Sequence, residues 1–291
     1  MKATNAKPNV SLVATHQEVA QEILELFISC AQNAIDVNGR FCTAISRYTP
    51  RHFFELLGSD FRSKSLPWNQ IHFFCVDECC GLSELSNNRY IRMTKLLTQK
   101  VDMPPENIHR ICSVCRNCEQ TTSIYEQTIY NVVERKEYGV PRFDLVLLQM
   151  GTDGHIASLF PDTFAFFESQ RLVQVSHFMD TRHTRITVTH PVLCAASQII
   201  VLVSGSKRAR ILKEIFTHES NVAQYPIHAL WAILDKVTWL VDRDAAKFLM
   251  SPYCVKINWR NVALTQQSAE RSHENDYVDN SLKTKTCRRR Y

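Results

Sequence analysis

The sequence of 291 residues lacks any long hydrophobic run. Its longest apolar stretches, such as Ile199–Ser204, are far shorter than the ~18–20 residues that a membrane-spanning helix needs. The segment Met1–Val13 also has no apolar block of the kind found in secretory signals. We therefore expect no membrane partner and a cytoplasmic location.

The eleven cysteines lack the pattern of a disulfide framework, because their number is odd and their spacing irregular. This favours a set of reduced thiols in a cytosolic protein. Cys112, Cys115 and Cys118 recur at every third residue, but no second Cys-x-x-C pair accompanies them. A structural zinc site needs four ligands, usually as two separated pairs, so we predict no metal site.

A strong overall charge is also missing, since the formal net charge is +5 and most of it lies at one end. Residues 252–291 contain eight basic and four acidic side chains, which gives this segment +4 and leaves about +1 for the rest. A general nucleic-acid-binding surface is not supported, and we expect no nucleic-acid partner. The 45% apolar and 22% charged residues are typical of a globular protein.

Hydrophobic spacing predicts helices and strands that alternate along the chain. The predicted helices are Gln17–Val37, Pro50–Leu57, Asn88–Gln99, Gln120–Tyr138, Lys207–Phe216 and Asp242–Leu249. The predicted strands are Phe41–Ser46, Ile71–Val76, Leu145–Met150, Arg185–Thr189, Ile199–Ser204 and Thr238–Val241. This order indicates the α/β class, with a mostly parallel open sheet and helices on both faces, as in a Rossmann-like three-layer sandwich. We predict a flexible segment over 1–14, one domain over 15–251 and a polar, basic, disordered tail over 252–291.

The most informative segment follows the predicted strand Leu145–Met150 and reads Gly151-Thr152-Asp153-Gly154-His155. Ligands of open α/β sheets bind at the carboxyl ends of strands. Gly151 and Gly154 permit a tight turn and a close approach of backbone to a ligand, and a helix after the turn would offer N–H groups to an oxyanion. A histidine titrates near pH 6.5, which suits His155 as a general base that Asp153 orients. The alternative interpretation is an ordinary turn with a surface histidine.

Residues 143–162 resemble the signature of the 6-phosphogluconolactonases, which reads roughly G-M-G-x-D-G-H-T-A-S-L-F-P. The related glucosamine-6-phosphate deaminases share Asp-Gly-His but continue toward Ala-Phe-Asn-Glu-Pro, whereas Ala157–Pro161 follow the lactonase form. Other segments agree in the expected order, so the resemblance covers about residues 15–250. These segments are Phe73–Cys80, Ser86–Tyr90, Pro104–Arg110, Arg185–Leu193 and Val203–Arg208.

The resemblance implies hydrolysis of 6-phosphoglucono-δ-lactone in the pentose phosphate pathway, without a metal or organic cofactor. His155 would take a proton from the attacking water and return it to the ring oxygen. Asp77 and Glu78, at the end of a buried strand, would bind sugar hydroxyls or help to position His155. The implied partners of the substrate phosphate are the cations Arg185, Lys207 and Arg208, together with a loop that contains Ser46, Arg47 and Thr49.

Two departures from the family pattern concern phosphate binding. The family loop L-S-G-G-S-T-P corresponds here to Ala44–Pro50, in which both glycines are missing and Arg47 and Tyr48 are present. A glycine-rich loop wraps an anion with bare backbone, whereas Arg47 would have to supply charge through its guanidinium or would block the pocket. Cys79 also stands where the family usually has an arginine after Asp-Glu.

These departures leave three hypotheses open. The first is an active lactonase. The second is a non-catalytic relative that binds a sugar phosphate, for which a pocket plugged by Tyr48 would be evidence. The third is a glucosamine-6-phosphate deaminase, which the Ser158–Phe160 sequence disfavours. The sequence does not determine the oligomeric state.

Overall fold

The computed structural model describes residues 8–80, 89–112, 117–134, 136–177, 184–249 and 256–258. Within these ranges the strands are β1 (Asn9–Val13), β2 (Phe41–Ile45), β3 (Ile71–Cys75), β4 (Asp77–Cys79), β5 (Ile108–His109), β6 (Lys136–Glu137), β7 (Val140–Pro141), β8 (Leu145–Gln149), β9 (Val173–Ser176), β10 (Arg185–Val188), β11 (Ile199–Val203), β12 (Val237–Asp242) and β13 (Lys256–Asn258).

The helices in the same ranges are α1 (His16–Asn38), α2 (Arg51–Ser59), α3 (Phe61–Lys64), α4 (Arg89–Lys100), α5 (Cys118–Val132), α6 (Phe164–Phe167), α7 (His190–Ala195), α8 (Ala209–Thr217) and α9 (Arg243–Ala246). Short 3₁₀ segments cover Trp68–Gln70, Pro105–Asn107 and Ser206–Arg208, and a longer 3₁₀ region over Pro226–Lys236 is interrupted at Ile233, whose φ of −135° is not helical. In this part of the chain, none of the helices has the length and apolar composition needed to cross a membrane.

Eight strands form the central sheet in the order β13-β1-β12-β11-β8-β2-β3-β5, and all of their pairings are parallel. The central strands β8 and β11 are runs of Leu, Val and Ile, because strands covered on both faces have apolar residues at successive positions. The prediction of an α/β fold with a mostly parallel sheet is confirmed.

Alternate side chains of β8 enter two different hydrophobic clusters, one on each face of the sheet. Leu145 and Leu147 pack in the cluster that includes Phe27 of α1. Val146 and Leu148 pack in the cluster that includes Ile129 of α5 and residues of α8. The sheet is therefore the middle of three layers, with its core divided between the two faces.

A smaller antiparallel sheet lies beyond the carboxyl end of β3 and has the order β4-β10-β9. The predicted strand Arg185–Thr189 forms β10 of this sheet and is not a member of the central one. The chain reaches it because β3 continues through Val76 into β4, and the Val188 N–H donates to the Val76 carbonyl at 2.9 Å. The side sheet places Asp77 and Arg185 on neighbouring strands.

Three helical predictions differ from the structure, and one of them, the helix predicted over Asp242–Leu249, is shortened to the four residues of α9. The helix predicted over Gln120–Tyr138 ends at Val132, and β6 and β7 then form a hairpin whose turn residues Tyr138 and Gly139 have φ of 50° and 84°. The helix expected directly after His155 is absent, because the chain turns repeatedly between 151 and 162, where Ala157 and Asp162 also have positive φ. The next helix, α6, has four residues.

Ordered strands extend beyond both predicted ends of the domain. β1 lies within the segment 1–14 and pairs with β12, and β13 lies within the segment 252–291 and pairs with the other side of β1. Val10 is fully buried and Leu12 nearly so, because the sequence Val-Ser-Leu-Val places alternate apolar residues against the core.

Candidate active site

The turn after β8 folds back so that His155 lies over its first glycine. The Gly151 N–H donates to the His155 carbonyl at 2.9 Å. A Cβ atom at Gly151 would overlap the His155 imidazole, and Gly154 has φ of 81°, which favours glycine. Both glycines are thus required by the geometry that holds the imidazole at the carboxyl end of the sheet.

Asp153 accepts two hydrogen bonds from His155. Its Oδ1 lies 2.5 Å from the imidazole Nδ1 and 3.2 Å from the His155 backbone nitrogen. Burial alone would raise the pKa of Asp153, but the hydrogen bonds and charge of His155 outweigh it and hold this pKa below its usual value. Because Nδ1 donates to the carboxylate, the neutral imidazole has its acceptor lone pair on Nε2. The pair is the arrangement expected of a general base and the group that orients it.

A buried polar cluster fixes the chain three residues after His155. The Ser158 hydroxyl donates to Asp77 Oδ2 at 2.6 Å, and its N–H donates to Thr187 Oγ1 at 3.1 Å. Arg185 Nη1 lies 3.6 Å from Asp77 Oδ2 and 3.4 Å from Ser158 Oγ. The Asp77 side chain is 4% exposed and that of Arg185 is 15% exposed. The cluster therefore fastens the turn that contains His155 to the side sheet.

Phe160 connects this cluster to His155. Its ring centroid is 4.5 Å from that of His155, and the Arg185 guanidinium carbon lies 5.5 Å from the Phe160 centroid. The predicted residues His155, Asp153, Asp77 and Arg185 are thus brought into one region. Sequence reasoning assigned no role to Ser158 or Phe160, although both lie in the motif that follows His155.

A cavity of about 720 Å³ opens at the carboxyl ends of β2 and β3, between α2 and α4. The predicted residues among those that line it are Ser46, Arg47, Thr49, Asp77 and Glu78. Neither His155 nor Arg185 lines this cavity. Asp77 does, and it also belongs to the buried polar cluster with Ser158 and Arg185. A pocket of this size suits a small ligand.

The Ser46–Pro50 loop forms a tight turn, since the Thr49 N–H and hydroxyl both donate to the Ser46 carbonyl, at 3.1 and 2.9 Å. Arg47 extends toward β4, and its Nη1 lies 2.6 Å from Cys79 Sγ and 3.9 Å from Glu78 Oε1. Tyr48 is 41% exposed and is not among the cavity residues. The loop therefore places a guanidinium in the cavity wall and leaves the cavity open.

Glu78 is a mostly buried carboxylate of the cavity wall. Burial raises its pKa, although the Cys79 N–H, which donates to Oε1 at 2.8 Å, and the charge of Arg47 act in the opposite direction. Burial also raises the pKa of the Cys79 thiol, against the charges of Arg185 and Arg47. Cys79 is accordingly a neutral neighbour of Arg47 near pH 7.

Lys207 and Arg208 lie apart from the cavity residues. Arg208 Nε donates to the Met150 carbonyl at 2.7 Å and its Nη1 donates to the Ser204 carbonyl at 2.8 Å. Arg208 thereby ties together the ends of β8 and β11. Lys207 is exposed in the 3₁₀ segment that precedes α8.

Some sequence features lie outside the described residues. Cys115 is one, and so are Ser86 and Asn87 of the family-like stretch. Among the residues that the structure describes, no three His, Cys, Asp or Glu side chains cluster in a way that would hold a metal ion.

Comparisons with known proteins show the family to which the chain belongs. The family model for glucosamine-6-phosphate isomerases/6-phosphogluconolactonase matches residues 14–239. A 6-phosphogluconolactonase of Synechocystis sp. is 31% identical over 83% of this chain and 98% of its own length. A 6-phosphogluconolactonase of Nostoc sp. is 30% identical over 82% of this chain and 97% of its own length.

Solved structures give the same result. A structure of the devB protein, 30% identical, has a TM-score of 0.72 and covers 82% of this chain and 98% of that one. The 6-phosphogluconolactonase of Trypanosoma cruzi, 21% identical, shares the fold with a TM-score of 0.73 over 86% of this chain and 100% of that one. The chain belongs to the glucosamine-6-phosphate isomerase/6-phosphogluconolactonase family.

Proposed function

We propose that this protein hydrolyses 6-phosphoglucono-δ-lactone to 6-phosphogluconate in the pentose phosphate pathway. The observation that carries the proposal is the His155–Asp153 pair, at 2.5 Å, held at a strand end in a chain whose relatives are named 6-phosphogluconolactonase. The proposed reaction needs water and side chains and no metal or organic cofactor. A cytoplasmic location remains part of the proposal.

His155 acts as the general base in the proposed mechanism. Nε2 takes a proton from water while the water oxygen bonds to the lactone carbonyl carbon, which gives a tetrahedral oxyanion and an imidazolium. Asp153 stabilises the imidazolium through Nδ1. When the bond between that carbon and the ring oxygen breaks, the imidazolium returns the proton to the ring oxygen. The net reaction adds one water to the ester and leaves the enzyme unchanged.

Arg185 is the proposed donor from the buried cluster to the substrate. Its Nε is buried and has no hydrogen-bond partner among the described residues, whereas its Nη1 faces Asp77 and Ser158. A substrate oxygen would satisfy the Nε donor. In this proposal Arg185 stabilises the oxyanion. The N–H groups of a helix after His155 would otherwise have had that role.

The remaining assignments follow from position. Ser46, Arg47, Thr49 and Glu78 are proposed substrate-binding residues of the cavity. Asp77 is proposed to position the His155 turn through Ser158, and Gly151 and Gly154 to hold the imidazole at the site. The geometry gives less support to Lys207 and Arg208, because Arg208 is engaged by two carbonyls and neither lines the cavity.

The open cavity favours the catalytic proposal over a non-catalytic relative. Tyr48 does not line the cavity, and the guanidinium of Arg47 does. The deaminase alternative has weaker support, because it rests on the shared Asp-Gly-His sequence alone. Ser158, which donates a hydrogen bond to Asp77, lies in the stretch that follows the lactonase form.

A rate measurement tests the proposal. We expect the wild-type protein to accelerate the opening of freshly generated 6-phosphoglucono-δ-lactone above its rate in buffer, and His155→Ala to return the rate to that of buffer. His218→Ala, at an exposed histidine after α8, is the matched control and should retain the wild-type rate. A wild-type rate equal to that of buffer would refute the proposal, and release of ammonia from glucosamine 6-phosphate would favour the deaminase.

A further inference from the structure

Three basic side chains line the cavity, and their partners differ. Arg51 is 74% exposed and forms an ion pair with Glu55 at 2.8 Å on the same helix. Arg47 is held beside Glu78 and Cys79. Lys95 of α4 forms no ion pair with any of the described residues. Of the three cations, Lys95 is the one whose charge is not already matched within the described part of the chain.

The carboxylates of the cavity wall already have cationic neighbours. Asp77 lies 3.6 Å from Arg185, and Glu78 lies 3.9 Å from Arg47. These pairs reduce the negative charge that would otherwise oppose an anion in the cavity. The charge of Lys95 then favours an anionic ligand on the α4 side.

Ser46 is an independent sign of a ligand. It lines the cavity and is 6% exposed, yet its Oγ has no hydrogen-bond partner among the residues that are described. Buried hydroxyl groups are almost always paired, so an unpaired one at a cavity wall indicates a missing partner. Next to it, α2 begins at Arg51 with no side-chain cap and no acidic residue in its first turn. The N-terminus of a helix favours negative charge.

We propose that Lys95 is a further substrate-binding residue, which binds the substrate's phosphate group together with Arg47, Ser46 and the N-terminus of α2. The inference rests on the proposed lactonase function and adds Lys95, on the α4 side of the cavity, to the phosphate loop that the family resemblance already implies. Arg47 supplies a planar guanidinium and Lys95 a compact ammonium, and both are common partners of phosphate.

The same arrangement explains Cys79. The Arg47 guanidinium lies 2.6 Å from Cys79 Sγ, so a larger side chain at position 79 would compete for its place. Because cysteine is small and neutral, it leaves room for the guanidinium of Arg47, which the Ser46–Pro50 loop supplies.

Kinetics with two substrates test the role of Lys95. Lys95→Met keeps most of the side-chain length and removes the charge, whereas Lys95→Arg keeps the charge. We expect Lys95→Met to raise KM for 6-phosphoglucono-δ-lactone about tenfold or more, and Lys95→Arg to remain within about threefold of wild type. Hydrolysis of glucono-δ-lactone, which has no phosphate, should be equal in all three proteins. Lys213→Met, at an exposed lysine of α8, is the control and should match wild type.

A calorimetric titration with 6-phosphogluconate separates this inference from the proposed function. If the wild-type protein lacks activity but binds 6-phosphogluconate, and Lys95→Met weakens that binding about tenfold, the lactonase function fails and the phosphate site stands. An unchanged KM and unchanged affinity in Lys95→Met would overturn the site even in an active enzyme. Failure of the wild-type protein to bind 6-phosphogluconate at millimolar concentration would also overturn it.

Discussion

Replacement of Asp77 by asparagine tests whether this carboxylate fastens the His155 turn in place. Asparagine can still accept a hydrogen bond from Ser158, so that interaction weakens from a charged to a neutral one, at a cost of about 1 kcal/mol. Arg185 loses its ionic partner at 3.6 Å. Removal of one partner of a buried pair costs about 3–5 kcal/mol, and the lower end applies because Arg185 remains 15% exposed beside the Phe160 ring. We expect a total loss of about 4 kcal/mol in the free energy of unfolding.

Urea unfolding followed by tryptophan fluorescence measures this loss, since Trp68 and Trp239 are buried in the folded protein. Glu25→Gln is the control, because it breaks a pair with Arg62 in which both partners are substantially exposed, and it should change stability far less. The double variant Asp77→Asn/Arg185→Met should lose less than the sum of the single variants, because it removes the charge left without a partner.

Asp77→Asn should also lower kcat under conditions where the variant remains folded, because the turn that contains His155 is less firmly held. A carboxylate with a purely chemical role would lower kcat and leave stability unchanged. A loss of stability below about 1 kcal/mol, or strict additivity in the double variant, would refute the reasoning.

Three further predictions concern other parts of the site and sheet. Asp153→Asn should lower kcat about tenfold with little change in KM, since the partly exposed carboxylate stabilises the imidazolium; steady-state kinetics in which only KM changes would contradict this. Arg208→Met should lower stability by about 2 kcal/mol and leave KM unchanged, because its two hydrogen bonds go to backbone carbonyls; urea unfolding and kinetics check both parts. Burial lowers the pKa of His72 and of His109 to about 4, so the folded state binds fewer protons than the unfolded state between about pH 4 and 6.5, and stability falls as pH drops through this range. His109→Gln should therefore lose less stability than wild type between pH 7 and pH 5 in urea titrations, and an equal loss would contradict the assignment.

Strong local patterns predicted the elements that form the central sheet. The continuous apolar runs that became β8 and β11, and the helical spacing that became α1, each depend on neighbours in the sequence. The turn after β8 was also predictable, because Gly151 and Gly154 mark a sharp reversal before His155.

Contacts between distant segments account for most of what the sequence did not predict. Arg185 lies in the side sheet because β10 pairs with β4, the continuation of β3. The residues around Arg185 do not reveal this pairing, since β4 is distant in the sequence. The contact between Arg47 and Cys79 joins positions 32 residues apart. Lys95 carried no signal, because a single lysine on an amphipathic helix has the same pattern as any solvated side chain. Arg208 was predicted to bind the substrate, and its hydrogen bonds to the Met150 and Ser204 carbonyls could not be foreseen, since a charge pattern does not distinguish a backbone partner from a phosphate.

The pairing of β13 with β1 has a consequence for the sheet border. β13 covers three residues of β1 on the side away from β12. A chain that ended at residue 251 would present the backbone N–H and C=O groups of those residues without their strand partner, next to the apolar side chains of Val10 and Leu12. Such an uncovered edge is a template for pairing with another molecule. Among the described strands, β13 takes the place of β1 at this border of the sheet, and its three residues present a shorter edge for such pairing than the five residues of β1 would.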